Sequence, residues 1–253
     1  MKMPDLKKPI RYILAAVFVG VAAFLVFAAT KNNSSRRCKG LEINIKEASE
    51  QVMVTKADIE KWVTQYGNDP YEGKIIEKVD LAKVEKNILE SGYIASCQAY
   101  FDLQGYLNLD VEVYRPVARI LGNTQPDRFI DSKGNIFPVS PHFSPNVLLI
   151  SGDFFEARRH LKQKQNEDLV YLLNILDQDE FWKAQIHQLD INRFKEIKML
   201  PLLGNHIIEF GKPEKAESKL RKLMIFYTQI LPQKKWSGFS NVSVKYEGQI
   251  VCN

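Results

Sequence analysis

Residues 93–116 read "YIASCQAYFDLQGYLNLDVEVYRP", and the pairing they imply decides the architecture. Two extended runs, YIASCQAYFDL and YLNLDVEVYRP, flank a Gly-containing turn at Gln104–Gly105, the signature of a β-hairpin. In the second run Val111 and Val113 point to one side and Glu112 and Tyr114 to the other. Two amphipathic helices precede the hairpin. In VTKADIEKWVTQYG (54–67) Thr55 is placed to cap, Asp58 stands at the third position, and Ile59, Trp62, Val63 and Tyr66 share one apolar face before Gly67. The second helix opens at Asp80, buries a stripe of Leu81, Val84, Ile88 and Leu89, and stops at Gly92. Before both, LEINIKEA (41–48) alternates apolar and polar residues as a half-buried strand does. The order over 40–115 is thus strand, helix, helix, strand, strand, which predicts a three-stranded sheet with two helices on one face.

Beyond Pro116 the pattern changes to short strands and turns, VARILG, RFIDSKGNIFP and NVLLISG. In DSKG, Asp131 is placed to bond its own backbone and Gly134 to supply a positive φ. Asp153–Gln165, Asp168–Leu176 and Glu180–Lys183 read as helical pieces, followed by strands at AQIHQLDI, EIKMLP and HIIEFG. A long helix over Pro213–Leu231 carries Leu220, Leu223, Met224, Tyr227, Ile230 and Leu231 on one stripe. GFSNVSVKY and QIVCN then close the chain as sheet. The fold class expected is α+β, with 116–253 forming a mostly antiparallel β domain with helices.

The N-terminal segment reads as a membrane anchor. Residues 12–29, YILAAVFVGVAAFLVFAA, are eighteen residues without a charge; at about 1.5 Å per residue, with Ile10 and a snorkelling Arg11, they span a roughly 30 Å hydrocarbon core. A cleavable signal peptide is the rival, but its apolar region is usually about 7–15 residues. Residues 1–11 are then a cytoplasmic tail, 12–29 a transmembrane helix and 30–39 a polar linker. Four basic residues lie on each side of the helix, so the positive-inside count does not orient it. The short tail favours an exported body.

Composition narrows the function. The net charge is +5, yet Lys2, Lys7, Lys8, Arg11, Lys31, Arg36, Arg37 and Lys39 face only Asp5 in residues 1–39, which leaves the body slightly acidic. Nucleic-acid binding needs clustered Lys and Arg on the folded part and is not expected. Cys38, Cys97 and Cys252 form no metal-ligand motif; they read as unpaired thiols, with a Cys97–Cys252 bridge open in an oxidising compartment. His142, His160, His187 and His206 make no HExxH or HxH motif, and Ser151 lies in no nucleophile elbow. Asp177, Asp179 and Glu180 suit helix capping better than a pair of glycosidase carboxylates. No catalytic, cofactor or metal site and no small-molecule substrate is expected.

Read in order, these segments resemble the FtsQ/DivIB bacterial cell-division family, whose first exported module is called POTRA. EVYRPVARI (112–120) is similar to the junction between POTRA and the β domain, FIDSKGNIFP (129–138) to its hairpin, LPLLGNHIIEFG and KLRKLMIFY to its penultimate strand and long helix, and VSVKYEGQIV (242–251) to the strand that closes the domain. Glu112, Arg115 and Pro116 fall at the junction. The resemblance implies a non-enzymatic, bitopic inner-membrane scaffold of the division septum that holds FtsB and FtsL and, through them, the septal peptidoglycan synthases FtsW and FtsI. It places the partner strand from FtsB at the terminal edge, by β-augmentation, on Val244, Lys245, Tyr246, Gln249, Ile250 and Val251. The alternatives are a membrane-anchored envelope enzyme acting on peptidoglycan, and a POTRA-bearing transport or assembly component. The first asks for a cleft with paired titratable groups and the second for repeated POTRA units or a barrel.

Overall fold

The computed structural model describes residues 17–22, 24, 36–46, 53–156, 158, 160–161, 164–234 and 238–253. Most of the expected membrane segment, with the tail and most of the linker, lies outside the described residues. Residues 17–22 and 24 are helical, and Phe18 and Phe24 are exposed. Among the described residues no helix is long and apolar enough to cross a membrane.

The rest divides into two compact units. The first contains the described residues up to Lys46, with Lys56–Ser91 and Ser96–Glu112; the second contains Gly92–Ala95 and Val113–Asn253, together with the described end of 47–55.

The first unit is built from β1 (Gly40–Lys46), α1 (Lys56–Val63), α2 (Leu81–Leu89), β2 (Ile94–Phe101) and β3 (Tyr106–Val113). Its sheet runs β1-β3-β2. β1 lies parallel to β3, from Gly40 opposite Tyr106 to Lys46 opposite Glu112: the two-helix connection delivers β2 running against β1, and the following hairpin reverses the chain so that β3 runs with β1. β2 reaches β3 through four residues, which permits only an antiparallel return. That turn is locked by Asp102, whose carboxylate accepts the Gly105 and Tyr106 N–H groups at 2.7 and 2.9 Å. Leu107, Leu109 and Val111 of the central strand are fully buried, as are Ile59, Val63, Val84 and Ile88 of the helices. Each such side chain contributes about 1.5–3 kcal/mol.

Both helices depart from the expected stripe at their ends. Thr64 donates its hydroxyl to the Glu60 carbonyl (2.7 Å) and accepts the Gly67 N–H (3.1 Å), so the chain turns left-handed at Gln65 and Tyr66. Tyr66, expected on the apolar face, is 75% exposed. Leu89 is likewise exposed at the last position of α2, which Asp80 opens by accepting the Lys83 N–H.

The second unit holds nine strands: β4 (Pro116–Ile120), β5 (Arg128–Asp131), β6 (Ile136–Pro138), β7 (Leu148–Ser151), β8 (Ile186–Ile191), β9 (Ile197–Pro201), β10 (Ile207–Gly211), β11 (Asn241–Ser243) and β12 (Val251–Cys252). Helices α3 (Glu167–Gln178), α4 (Glu180–Gln185) and α5 (Ala216–Ile225) accompany them. One sheet takes them all, in the order β12-β11-β10-β9-β8-β7-β4-β5-β6. Five of its described joints are antiparallel and three, β4/β7, β7/β8 and β10/β11, are parallel. The parallel joints fall where the connection is long. α3 and α4 lie between β7 and β8, α5 lies between β10 and β11, and the β5–β6 hairpin lies between β4 and β7. The helices cover a core that includes Phe154, Phe155, Leu172, Phe210, Leu223 and Phe226.

Two expected helices differ in this unit. Asp153–Gln165 is not one helix but two 3-10 turns, Asp153–Phe155 and Lys164–Asn166, with His160 bridged to Asn135 between them. Arg128 holds this segment from outside, its guanidinium donating to the Phe155 and Arg158 carbonyls, both at 2.8 Å, while the Phe155 carbonyl also accepts the Arg158 N–H in a 3-10 bond. The long helix starts at Ala216 rather than at Pro213, since Lys215 ahead of it is left-handed (φ 55°). It continues as a π segment, Phe226–Ile230, and a last turn, Leu231–Lys234. The wider π turn lets Phe226 join Tyr227 in the core. All three cysteines are free.

Candidate partner-binding edge

The last stretch of the chain is two short strands and a loop. β11 lies parallel to β10, with Val242 opposite Ile208, and the ladder extends one step further through the Val244 N–H to the Glu209 carbonyl at 3.1 Å. The loop 245–250 then brings β12 back antiparallel on the outer side of β11, with Val242 opposite Cys252 and Ser243 opposite Val251. Asn241 and Asn253 exchange both backbone bonds, at 3.0 and 3.2 Å. Because bonded and non-bonded pairs alternate in an antiparallel ladder, Val251 bonds inward to Ser243, and the N–H and C=O of Cys252 point away from β11. No described strand lies beyond β12.

Side chains alternate along it in the same way. Ile250 and Cys252 are half-buried and pack on the core, while Val251 is 40% exposed. Lys245, Tyr246 and Gln249 are exposed in the loop. Of the residues expected at a partner surface, these three and Val251 face solvent together. Val244 does not: it is fully buried, its N–H is held by Glu209 and its carbonyl accepts from Lys222, so it is a core residue. The border of β11 is covered by the chain's own β12, and the strand left outermost is two residues long.

Four residues that sequence reasoning did not single out shape this corner. Glu209 on β10 accepts from Asn241 (3.1 Å) and pairs with Lys245 (3.1 Å). The Asn241 hydrogen bond first, and Lys245 second, hold its carboxyl below the usual range. Lys222 on α5 donates to the carbonyls of Val244 (2.6 Å), Tyr246 and Gln249 (3.3 Å); burial pushes its ammonium down against the opposing pull of Glu247. Lys215 pairs with Glu247 at 2.8 Å. Between α5 and the loop lies a groove of about 420 Å³, bordered by Lys212, Lys215, Lys219, Lys222 and Lys245. The one local signal for this arrangement was Gly211 at the end of β10, where φ is 72° and a Cβ would meet the Lys245 Cβ at 2.9 Å.

The junction residues each have their own partners. Glu112 accepts from the Ser96 hydroxyl at 3.0 Å within the first unit. Arg115 pairs with Asp177 at 3.6 Å, and Pro116 opens β4 opposite Asp131. The candidate acids are structural: Asp179 caps α4 through the Phe181 and Trp182 N–H groups, and Asp177 holds Lys183 at 2.7 Å. His206 is buried against the Tyr227 hydroxyl at 3.0 Å, while His142, His160 and His187 are exposed. Ser151 sits between Asp190 and Gln188, both at 2.9 Å. Among the described residues no cluster of three His, Cys, Asp or Glu is arranged to hold a metal ion.

Compared with protein families, residues 36–112 match the POTRA-like domain, and residues 115–253, more than half of the chain, match the domain described as FtsQ/DivIB, C-terminal related. The chain belongs to the FtsQ/DivIB family. No curated protein matches it. Its βααββ unit is the POTRA-like module, and its nine-stranded unit is the FtsQ/DivIB C-terminal domain, so the corner just described closes the latter. As a member of the FtsQ/DivIB family it is a POTRA-containing cell-division protein.

Proposed function

We propose that the chain is a non-enzymatic, single-pass scaffold of the bacterial divisome, anchored in the inner membrane by residues 12–29 with its body in the periplasm, and recruited to the division septum. In this reading it binds FtsB and FtsL, and through them engages FtsW and FtsI. A strand of FtsB adds to β12. The observation that carries the reading is the outer side of β12, where the Cys252 N–H and C=O face away from the sheet beside exposed Val251. An unpaired strand edge is a template for another chain, whose main chain supplies affinity and whose side chains supply specificity. Tyr246, an exposed aromatic in the same loop, is the expected energetic anchor. The eighteen-residue apolar run, part of which is an exposed helix, supports the anchor.

With so short an outer strand, backbone pairing fixes alignment and side chains supply most of the binding energy. A fluorescent fusion tests the role, together with depletion. Midcell recruitment and filamentation are expected; a diffuse envelope signal with normal septation overturns the reading. Removal of residues 246–253 is expected to abolish co-purification of FtsB, and unchanged co-purification excludes docking at this edge.

A further inference from the structure

We propose that Lys222 is the positioning residue of this edge: its ammonium, held by three carbonyls of the 244–250 loop, fixes the register in which β12 presents Cys252 to an incoming strand. The inference rests on the reading that β12 accepts a partner strand.

The grip on β12 is short. β11 is secured by β10, but β12 has two paired positions on β11, with Asn253 bonded to Asn241 and Ser240 at its end. Its other tethers are weak. Lys215–Glu247 is an exposed ion pair and Lys245–Glu209 a partly exposed one, a class that contributes little because solvent screens it. Lys222 differs in kind. An ammonium has three donors and no acceptor, and the loop offers three carbonyls to it, from Val244, Tyr246 and Gln249. The cation therefore joins both ends and the middle of the loop at one point. It is carried by α5, which Leu220 and Leu223, flanking Lys222 in sequence, fix in the core.

Register is what this contact decides. A slip of one residue exchanges the two faces of a strand. It would turn Val251 inward and Ile250 and Cys252 outward, and would aim the Cys252 backbone at β11 rather than at a partner. The loop carbonyls held by Lys222 belong to Val244, Tyr246 and Gln249, so the contact leaves the Cys252 N–H and C=O unused.

The test uses the full chain in lipid nanodiscs, with the periplasmic part of FtsB as probe. Lys222→Met is expected to raise amide exchange at Val244, Val251 and Asn253 at least tenfold, to leave β4 and β5 unchanged, and to weaken FtsB binding at least tenfold. Lys222→Arg is expected to recover only part of this, because a planar guanidinium does not converge three donors on one point. A second constraint then replaces the first. Val242 and Cys252 form a non-bonded pair with Cα atoms about 4.5 Å apart, within disulfide reach, so Val242→Cys with the native Cys252 is able to lock the register. In Lys222→Met/Val242→Cys, oxidation is expected to restore FtsB binding and reduction to remove it. Unchanged exchange and affinity in Lys222→Met, or loss of binding that the oxidised double variant does not recover, overturns the positioning role while the reading of the edge stands. A wild-type chain that does not bind FtsB overturns both.

Discussion

The two ends of the nine-stranded sheet are both short hairpins, yet they are held by opposite means. At one end, β5 and β6 are joined by DSKG, where the buried Asp131 carboxylate accepts the Lys133 and Asn135 N–H groups at 2.9 and 2.7 Å and the Asn135 amide at 2.6 Å. Every group that this carboxylate holds lies within four residues of it, although Leu161 and Asn174 also reach the Gly134 and Ser132 carbonyls from outside the turn. Its edge strand finishes at Pro138, which has no N–H to offer a neighbour. At the other end, β11 and β12 are joined by a loop whose brace, Lys222, lies 22 to 27 residues earlier in the chain. The first hairpin is closed by a carboxylate of its own turn and its edge is blunted. The second borrows its shape from a helix and leaves an edge outward.

That contrast is open to attack in several places. The largest effect belongs to the carboxylate-closed turn: Asp131→Ala leaves two backbone N–H groups and an amide without their acceptor in a partly buried site, and is expected to cost about 2 to 3 kcal/mol in urea unfolding. An undisturbed midpoint would mean that the turn does not depend on its carboxylate. Gly211→Ala is next. A left-handed φ and a Cβ contact at 2.9 Å predict a loss of about 2 kcal/mol, with raised exchange in 244–252 and none in β5–β6.

His206, just ahead of β10, gives a pH dependence. Burial holds its pKa below the ordinary value, so the folded chain resists a proton that the unfolded chain accepts. Stability is then full above about pH 6.5 and falls as pH drops below it. Unfolding of wild type and His206→Gln over that range is expected to differ by this slope; parallel curves would remove His206 from the account. The smallest effect is at the exposed Lys215–Glu247 pair. Lys215→Ala is expected to leave the unfolding midpoint where it is, in contrast to the local loosening by Lys222→Met, and a large shift would show that the loop has a second brace.

The same contrast explains what could be read from the sequence. The βααββ order, the Asp80 and Asp179 caps and the DSKG turn rest on residues two to four apart, where a side chain's chemistry and its backbone partner are visible in one short window. The long-range features were not legible. Asp153–Gln165 has helical composition, but its contacts with Arg128 come from 27 and 30 residues away. The start of α5 depends on a left-handed Lys215 that no propensity signals, and the π segment adds a residue per turn that a 3.6-residue period does not anticipate. At the terminal corner Lys245, Tyr246, Gln249 and Val251 are exposed, whereas Val244 lies in the core with Val242, on the face that alternation gives to both.

The most direct test of the open edge is amide exchange at Cys252 in the full chain, measured with and without FtsB. Its N–H faces away from β11, so strand addition is expected to slow its exchange at least tenfold while the inward-bonded Val251 changes little. A stable complex in which the Cys252 amide exchanges as fast as in the free chain would contradict strand addition at β12.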